Sequence, residues 1–319
     1  MAGEVIENGS VLIDGGKIIE VGRDLVAPLD TEVIDAEGKM VLPGFVDGHS
    51  HLGMWEEGMG FEGSDGNEMV DPVTPHLRAI DAINPMDEGF KDAYKAGVTS
   101  VVTGPGSANV IGGFATAIKT YGKRVDDMII KDPVAMKVAF GENPKRVYNS
   151  QNKSPMTRMA TAAILRESLF KAKAYLEKKE RANGDPSKMP DFDLKMEALV
   201  GPTLSNRSKI ELKNLSFETP GILNKRGVKV GIITDAPVIP QQYLPICAGL
   251  AVKSGMDEME ALKAITIYPA EIVGIADRVG GIEVGKDADI VIFNGNPIKD
   301  LSCETYVTII NGQIVYRNF

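Results

Sequence analysis

Strand-like and helix-like patterns alternate through the middle of this 319-residue chain, while both ends are hairpin-like, and no other feature narrows the fold as much. Val98–Thr103, Val134–Phe140 and Val228–Ile233 are short apolar runs of the kind that make buried strands. Between them lie helix signals. Asn84-Pro85 opens one that Gly97 closes, with Asp87 and Glu88 suited to its positive end. Ser154-Pro155 opens a long one in which Leu165, Leu169, Ala172 and Leu176 recur at helical spacing. A third covers Met256–Ile267 and stops near Pro269. Alternation of this kind predicts a parallel α/β core. At the ends, Asp14-Gly15-Gly16 within residues 10–22 and Asn311-Gly312 within 306–316 are hairpin turns, and 289–293 is a further strand. Residues 177–191 are charged and carry Gly184, Pro186 and Pro190, which fits a helix end and an exposed loop.

Charge and cysteine usage exclude several function classes. A net charge of −9 argues against nucleic acid and anionic membrane as partners. No apolar run is long enough for a transmembrane helix, and the N-terminus lacks the pattern of a secretory signal. Cys247 and Cys303 lie far apart and read as reduced thiols. The expected setting is the cytoplasm and the expected partner a small-molecule substrate, with a homo-oligomer compatible.

The chemistry concentrates in Val41-Leu42-Pro43-Gly44-Phe45-Val46-Asp47-Gly48-His49-Ser50-His51. Residues i and i+2 of an extended strand share a face, so His49 and His51 point together and can chelate one zinc-like divalent ion. A bare His-x-His is more often two polar residues ending a strand. The Pro-Gly-x-x-Asp-x-His-x-His frame favours the ligand reading. His76 and Arg78 lie on a long loop suited to substrate contact, although an ordinary loop role carries more weight for both. Gly104-Pro105-Gly106-Ser107 and Gly112-Gly113 fit neither a dinucleotide nor a P-loop spacing.

That frame resembles the amidohydrolase superfamily, in particular its imidazolonepropionase-like and prolidase-like members. Ser10–Gly22, Thr266-Ile267-Tyr268-Pro269-Ala270 and Gly285-Lys286-Asp287-Ala288-Asp289-Ile290-Val291 extend the likeness over nearly the whole chain. The resemblance implies a (β/α)8-type TIM barrel over 44–277, with residues 1–43 and 278–319 forming one small β-sandwich domain. It implies one or two divalent metal ions, zinc first among them, and hydrolysis of a C–N bond in a cyclic amide, amidine or peptide-like substrate by an activated water. It also implies that Asp235, after the strand Val228–Ile233, binds metal and moves a proton, against the plainer reading of a turn aspartate. Some members use a mid-barrel glutamate as a ligand and others a carboxylated lysine. Glu142, after Val134–Phe140, fits the first role and Lys145 a substrate contact, with a loop carboxylate and a solvated lysine remaining open.

The sequence departs from the family in two respects. Members normally supply two further histidines from later strands, and this chain has none after His76. Too few strands fit between Glu142 and Asp235 for an eight-fold barrel. A helix over 192–200 and a strand near 201–204 are expected there, with a segment missing at Val200/Gly201. A spatial gap is expected at that junction. The alternative is a shortened, non-catalytic metal-binding or scaffold relative.

Overall fold

The computed structural model describes residues 5–183, 197–206, 209 and 212–318. The strands among them are β1 (Ser10–Asp14), β2 (Lys17–Gly22), β3 (Met40–Pro43), β4 (Phe45–Ser50), β5 (Val98–Thr103) and β6 (Ile111–Lys119). They continue with β7 (Ile129–Val138), β8 (Glu197–Val200), β9 (Lys229–Ile232), β10 (Ile290–Phe293), β11 (Thr305–Ile310) and β12 (Gln313–Arg317). The helices are α1 (Glu88–Lys95), α2 (Val125–Met128), α3 (Glu142–Ser150) and α4 (Arg158–Asn183). After them come α5 (Thr219–Lys225), α6 (Leu244–Lys253), α7 (Glu258–Lys263) and α8 (Ile267–Ile272). No helix among the described residues is long and apolar enough to cross a membrane.

Both hairpin signals form turns. β1 pairs with β2 around Gly15 and Gly16, and β11 with β12 around Asn311 and Gly312, all four turn residues at positive φ. β3 from the N-terminal part pairs antiparallel with β10 from the C-terminal part, giving a sheet ordered β12-β11-β10-β3. Ile18 of β2 is buried with Ile290, Ile292, Val307 and Ile309 of that sheet.

The central strands differ from the expected barrel. β4 and β5 are parallel, as are β8 and β9, but β6 and β7 join β4-β5 antiparallel, and the described residues do not close an eight-stranded parallel sheet. Connection length explains the reversal. The links between β5 and β6 and between β6 and β7 are too short for the crossover of a dozen or more residues that parallel neighbours need.

Helix starts also shift. Asp87, not Asn84, caps α1 by accepting from the Gly89 N–H, because Asn84 instead accepts from Met86 N–H within the preceding turn. Thr157 takes the same role for α4, three residues after Ser154. The expected helix over 192–200 lies partly outside the described residues, and 197–200 form β8 instead. No gap opens at Val200/Gly201. The Val200 carbonyl accepts from Ile233 N–H at 3.2 Å, and a Cβ on Gly201 would lie 2.4 Å from the Ile233 carbonyl oxygen, so both residues sit beside Ile233. Residue-by-residue pairing of β8 with β9 carries the chain smoothly into that position.

One buried core joins the central strands to the terminal sheet, where Phe45 stacks on Phe293 with ring centroids 5.5 Å apart. A cluster of charges reinforces the junction. Lys119, 1% exposed, reaches Asp287 at 2.9 Å and Asp289 at 2.6 Å. Asp287 also takes Lys17 of β2 and Arg278. Burial pushes the Asp287 carboxyl up, but Lys119 and these partners outweigh it and hold it below its ordinary value. Replacing Lys119 by Met leaves two buried carboxylates short of a partner and should cost about 3–5 kcal/mol. Urea unfolding of the K119M variant checks this, with the loss expected in the midpoint and not in the slope.

Candidate metal centre

β4 presents the first part of the site. Its alternation turns Asp47 and His49 to one side, and His51 follows just beyond the strand end. The His51 backbone N–H donates to the Ala236 carbonyl at 2.8 Å. Gly104 O can only accept, so His51 Nδ1, 2.7 Å away, carries the proton. In the neutral ring, Nε2 is then left with a lone pair.

The turn after β9 supplies the second part. Asp235 sits at φ 55°, a left-handed conformation that aspartate tolerates better than most residues. Its Oδ1 lies 3.2 Å from Nε2 of His49 and 3.2 Å from Nε2 of His51. The two rings stand nearly perpendicular, 5.0 Å apart. His49, His51 and Asp235 form the one group of three metal-capable side chains of these types found among the described residues, with ligand atoms within 4.8 Å of one another.

The arrangement suits a cation. A lone pair on His51 Nε2 facing a carboxylate oxygen is repulsive unless positive charge lies between them. Burial lowers the His49 pKa from its ordinary value; Asp235 opposes the shift, while Lys137 and His51 add to it. Burial pushes the Asp235 carboxyl up, but protonated His49 and His51 rings beside it outweigh burial and hold the group well below the usual carboxylate range, and a cation would take over that role where the rings are neutral. The His49 imidazole, pushed by burial toward its neutral form, the His51 Nε2 and the Asp235 carboxylate together are a nitrogen–oxygen donor set for a divalent ion of the zinc type.

Glu142 and His76, the other expected residues of ligand type, lie outside the three-residue group. Glu142 opens α3. β7 ends at Val138, and it is Lys137 that approaches, its Nζ 3.3 Å from His49 Nε2. Burial lowers the Lys137 pKa, and Lys209 adds to the shift against Asp235. The signal for Lys137 was one cationic residue in the apolar run Val134-Ala135-Met136-Lys137-Val138-Ala139-Phe140. His76 is exposed, Arg78 is exposed and paired with Asp81 at 2.8 Å, and Lys145 is half-buried on α3.

Two further features escaped the sequence reading. Asp47, fully buried, accepts four hydrogen bonds, from His49 N, Thr234 N, Thr234 Oγ1 and Gln241 Nε2. Burial raises its pKa to about 6 against those four donors. Trp55 packs edge-on to the His51 ring, 4.9 Å between centroids. A Cβ on Gly66 or Gly106 would lie 2.0 or 2.7 Å from its ring, so glycine is required at both places for the indole to lie against the imidazole.

Two sequence profiles of the amidohydrolase family match residues 32–82 and 206–315. A solved structure of an amidohydrolase from Thermotoga maritima MSB8 is 38% identical, covers 97% of this chain and 95% of its own, and superposes with a TM-score of 0.90. The chain belongs to the amidohydrolase family. It stands among hydrolases that act on carbon–nitrogen bonds. Amidohydrolase tasK of Hapsidospora irregularis is 28% identical over 374 positions, covering 91% of this chain but only 38% of tasK. Imidazolonepropionase of Thermoplasma acidophilum is 25% identical over 373 positions, covering 98% of this chain and 90% of that enzyme. Both alignments are longer than the 319 residues here, so each relative carries segments with no counterpart in this chain.

Trp55 is the only tryptophan and so reports on the site. Titration with Co²⁺, an open-shell substitute for zinc, should quench its emission. A variant with His49 and His51 both changed to Ala should lose the saturable quenching, and emission spectra at increasing Co²⁺ check it.

Proposed function

We propose that this chain is a metal-dependent amidohydrolase that cleaves a C–N bond of a small cyclic amide, amidine or peptide-like substrate. One observation carries the reading. Nε2 of His49, Nε2 of His51 and Oδ1 of Asp235 converge, with the His51 lone pair aimed at a carboxylate. His49, His51 and Asp235 would hold the ion, with zinc the best match to the donors. When bound, such an ion acidifies an attached water and polarises the scissile carbonyl.

The remaining work falls to the chain itself. Asp235, whose carboxylate faces the imidazoles, would accept the proton of the attacking water and deliver it to the leaving nitrogen. Trp55 and the backbone at Gly104 hold the His51 ring in one orientation. Of the two family options for a further oxygen ligand, Lys137 is better placed than Glu142 for the carboxylated-lysine role. Burial favours its neutral amine, the form that adds to carbon dioxide with loss of a proton to water. We read the parallel pairs β4-β5 and β8-β9 as portions of the family's barrel. The β3–β10 pairing supports 1–43 and 278–319 as one β-domain.

A metal-binding relative without turnover is the second reading. It is favoured by the exposure of His76, the sole other histidine, on a loop outside the three-residue group. Zinc-loaded protein assayed against a panel of cyclic amides and proline dipeptides separates the two. Turnover that falls about 100-fold or more in Asp235→Asn supports the hydrolase, since general-base contributions are of that order. Stoichiometric zinc with no turnover on any member of the panel supports the second reading.

A further inference from the structure

We infer that Asp47 is a positioning residue whose carboxylate, acting through Thr234, sets the turn that presents Asp235 to His49 and His51. The inference rests on the reading of those three as the ligand set. It deepens that reading by naming what holds the third member in place.

The hydrogen-bond directions are determined by valence. Ala236 N–H donates to Thr234 Oγ1 at 3.1 Å, so the single hydroxyl proton of Thr234 is directed to Asp47 Oδ2, 2.5 Å away. Thr234 N–H donates to the same oxygen at 3.2 Å. The residues on both sides of Asp235 are therefore tied to one carboxylate, directly at Thr234 and through its hydroxyl at Ala236. Gln241 Nε2, from the 3-10 turn Gln241–Tyr243, closes the arrangement at 2.6 Å. The other oxygen of Asp47 accepts from His49 N–H at 3.1 Å. One buried anion thus registers the histidine strand against the aspartate turn.

Backbone pairing across this junction ties Ala236 O to His51 N–H at 2.8 Å but leaves Asp235 itself on a longer bond. Asp235 N–H reaches His49 O at 3.3 Å, and Asp235 itself occupies a left-handed conformation that costs free energy. A turn of that kind persists when its surroundings over-determine it. Asp47 is completely buried, so water cannot take the place of any of its donors.

The chemistry makes the required residues specific. Asparagine at 47 cannot serve, because either orientation of its amide sets an NH2 group against an N–H or O–H donor. Valine at 234 keeps the shape but removes both hydroxyl bonds. Serine keeps both bonds.

The test compares Thr234→Val, Thr234→Ser and Asp47→Asn in the full chain. Zinc affinity is measured by chelator competition, and amide exchange at 234–236 is followed in metal-free protein. T234V and D47N should bind zinc about 10–100-fold more weakly, the usual effect of losing a group that orients a ligand. T234S should remain close to wild type in affinity and in exchange, and exchange should quicken at 234–236 in T234V beyond any change at amides elsewhere in the core. Should D47N fail to fold, the T234V and T234S pair still decides. Wild-type zinc affinity with unchanged exchange in T234V overturns the inference, as does T234S falling as far as T234V. If the wild-type chain binds no zinc, the metal-centre reading fails separately. Exchange in T234V against T234S then settles the clamp by itself.

Discussion

The short segment Asp287–Asp289 is where separate parts of this protein are fastened to one another. Lys119 brings β6 to it, Lys17 brings the β1–β2 hairpin, and Arg278 adds a third cation. The backbone takes part as well, since Gly44 N–H donates to Asp289 O at the entrance to β4 and Ala288 N–H donates to Gly16 O. Burying charge is costly, and an apolar replacement of the whole cluster would serve stability as well. What charge adds is direction. Two carboxylates facing one ammonium admit few arrangements, whereas flat apolar faces tolerate sliding. The start of β4 is therefore fixed, and everything that strand carries is fixed with it.

That matters because the centre is assembled from distant pieces. His49 and His51 come together at almost no entropic expense, being two residues apart on one extended segment. The aspartate turn does not, and its bond to Asp47 spans 187 residues of sequence. Closing so long a loop carries a conformational cost that local contacts must offset. The shared apolar core under β4, β5, α6 and α7 supplies the bulk of that compensation, and the polar contacts at Asp47 choose the register.

Sequence alone reached the parts of this arrangement that depend on local rules. The hairpin turns were legible because glycine and asparagine at positive φ leave a clear mark. The histidine pair was legible because strand alternation needs no tertiary information. Asp235 was found through family likeness and its place after an apolar run. Other features were hidden for physical reasons. Ile111–Lys119 does not stand out as a strand in the sequence, and without it Val134–Phe140 reads as a member of a parallel core, because an apolar run does not state its direction. Lys137 was overlooked because lysines are usually solvated, and its role depends on a strand edge facing the imidazoles. Asp47 stood in plain view within the motif, but its partners Thr234 and Gln241 are brought to it only by folding.

The long helix α4 shows the limit of periodicity in another way. Leu169 and Leu176 repeat at helical spacing, yet they are 59% and 47% exposed, and Phe170 and Tyr175 are exposed beside them. A helix with little packed against it draws its stability mostly from its own turns, and that is marginal in water. It can open without disturbing the core, and a protease would find it there. A single cut within α4 would leave His49 and His51 on one fragment and Asp235 on the other. The two pieces would stay associated through β4 and the Asp287–Asp289 junction, and, on the proposed reading of His49, His51 and Asp235 as ligands, an ion there would bridge separate polypeptides. On that reading, reassembly of such fragments would depend on metal concentration.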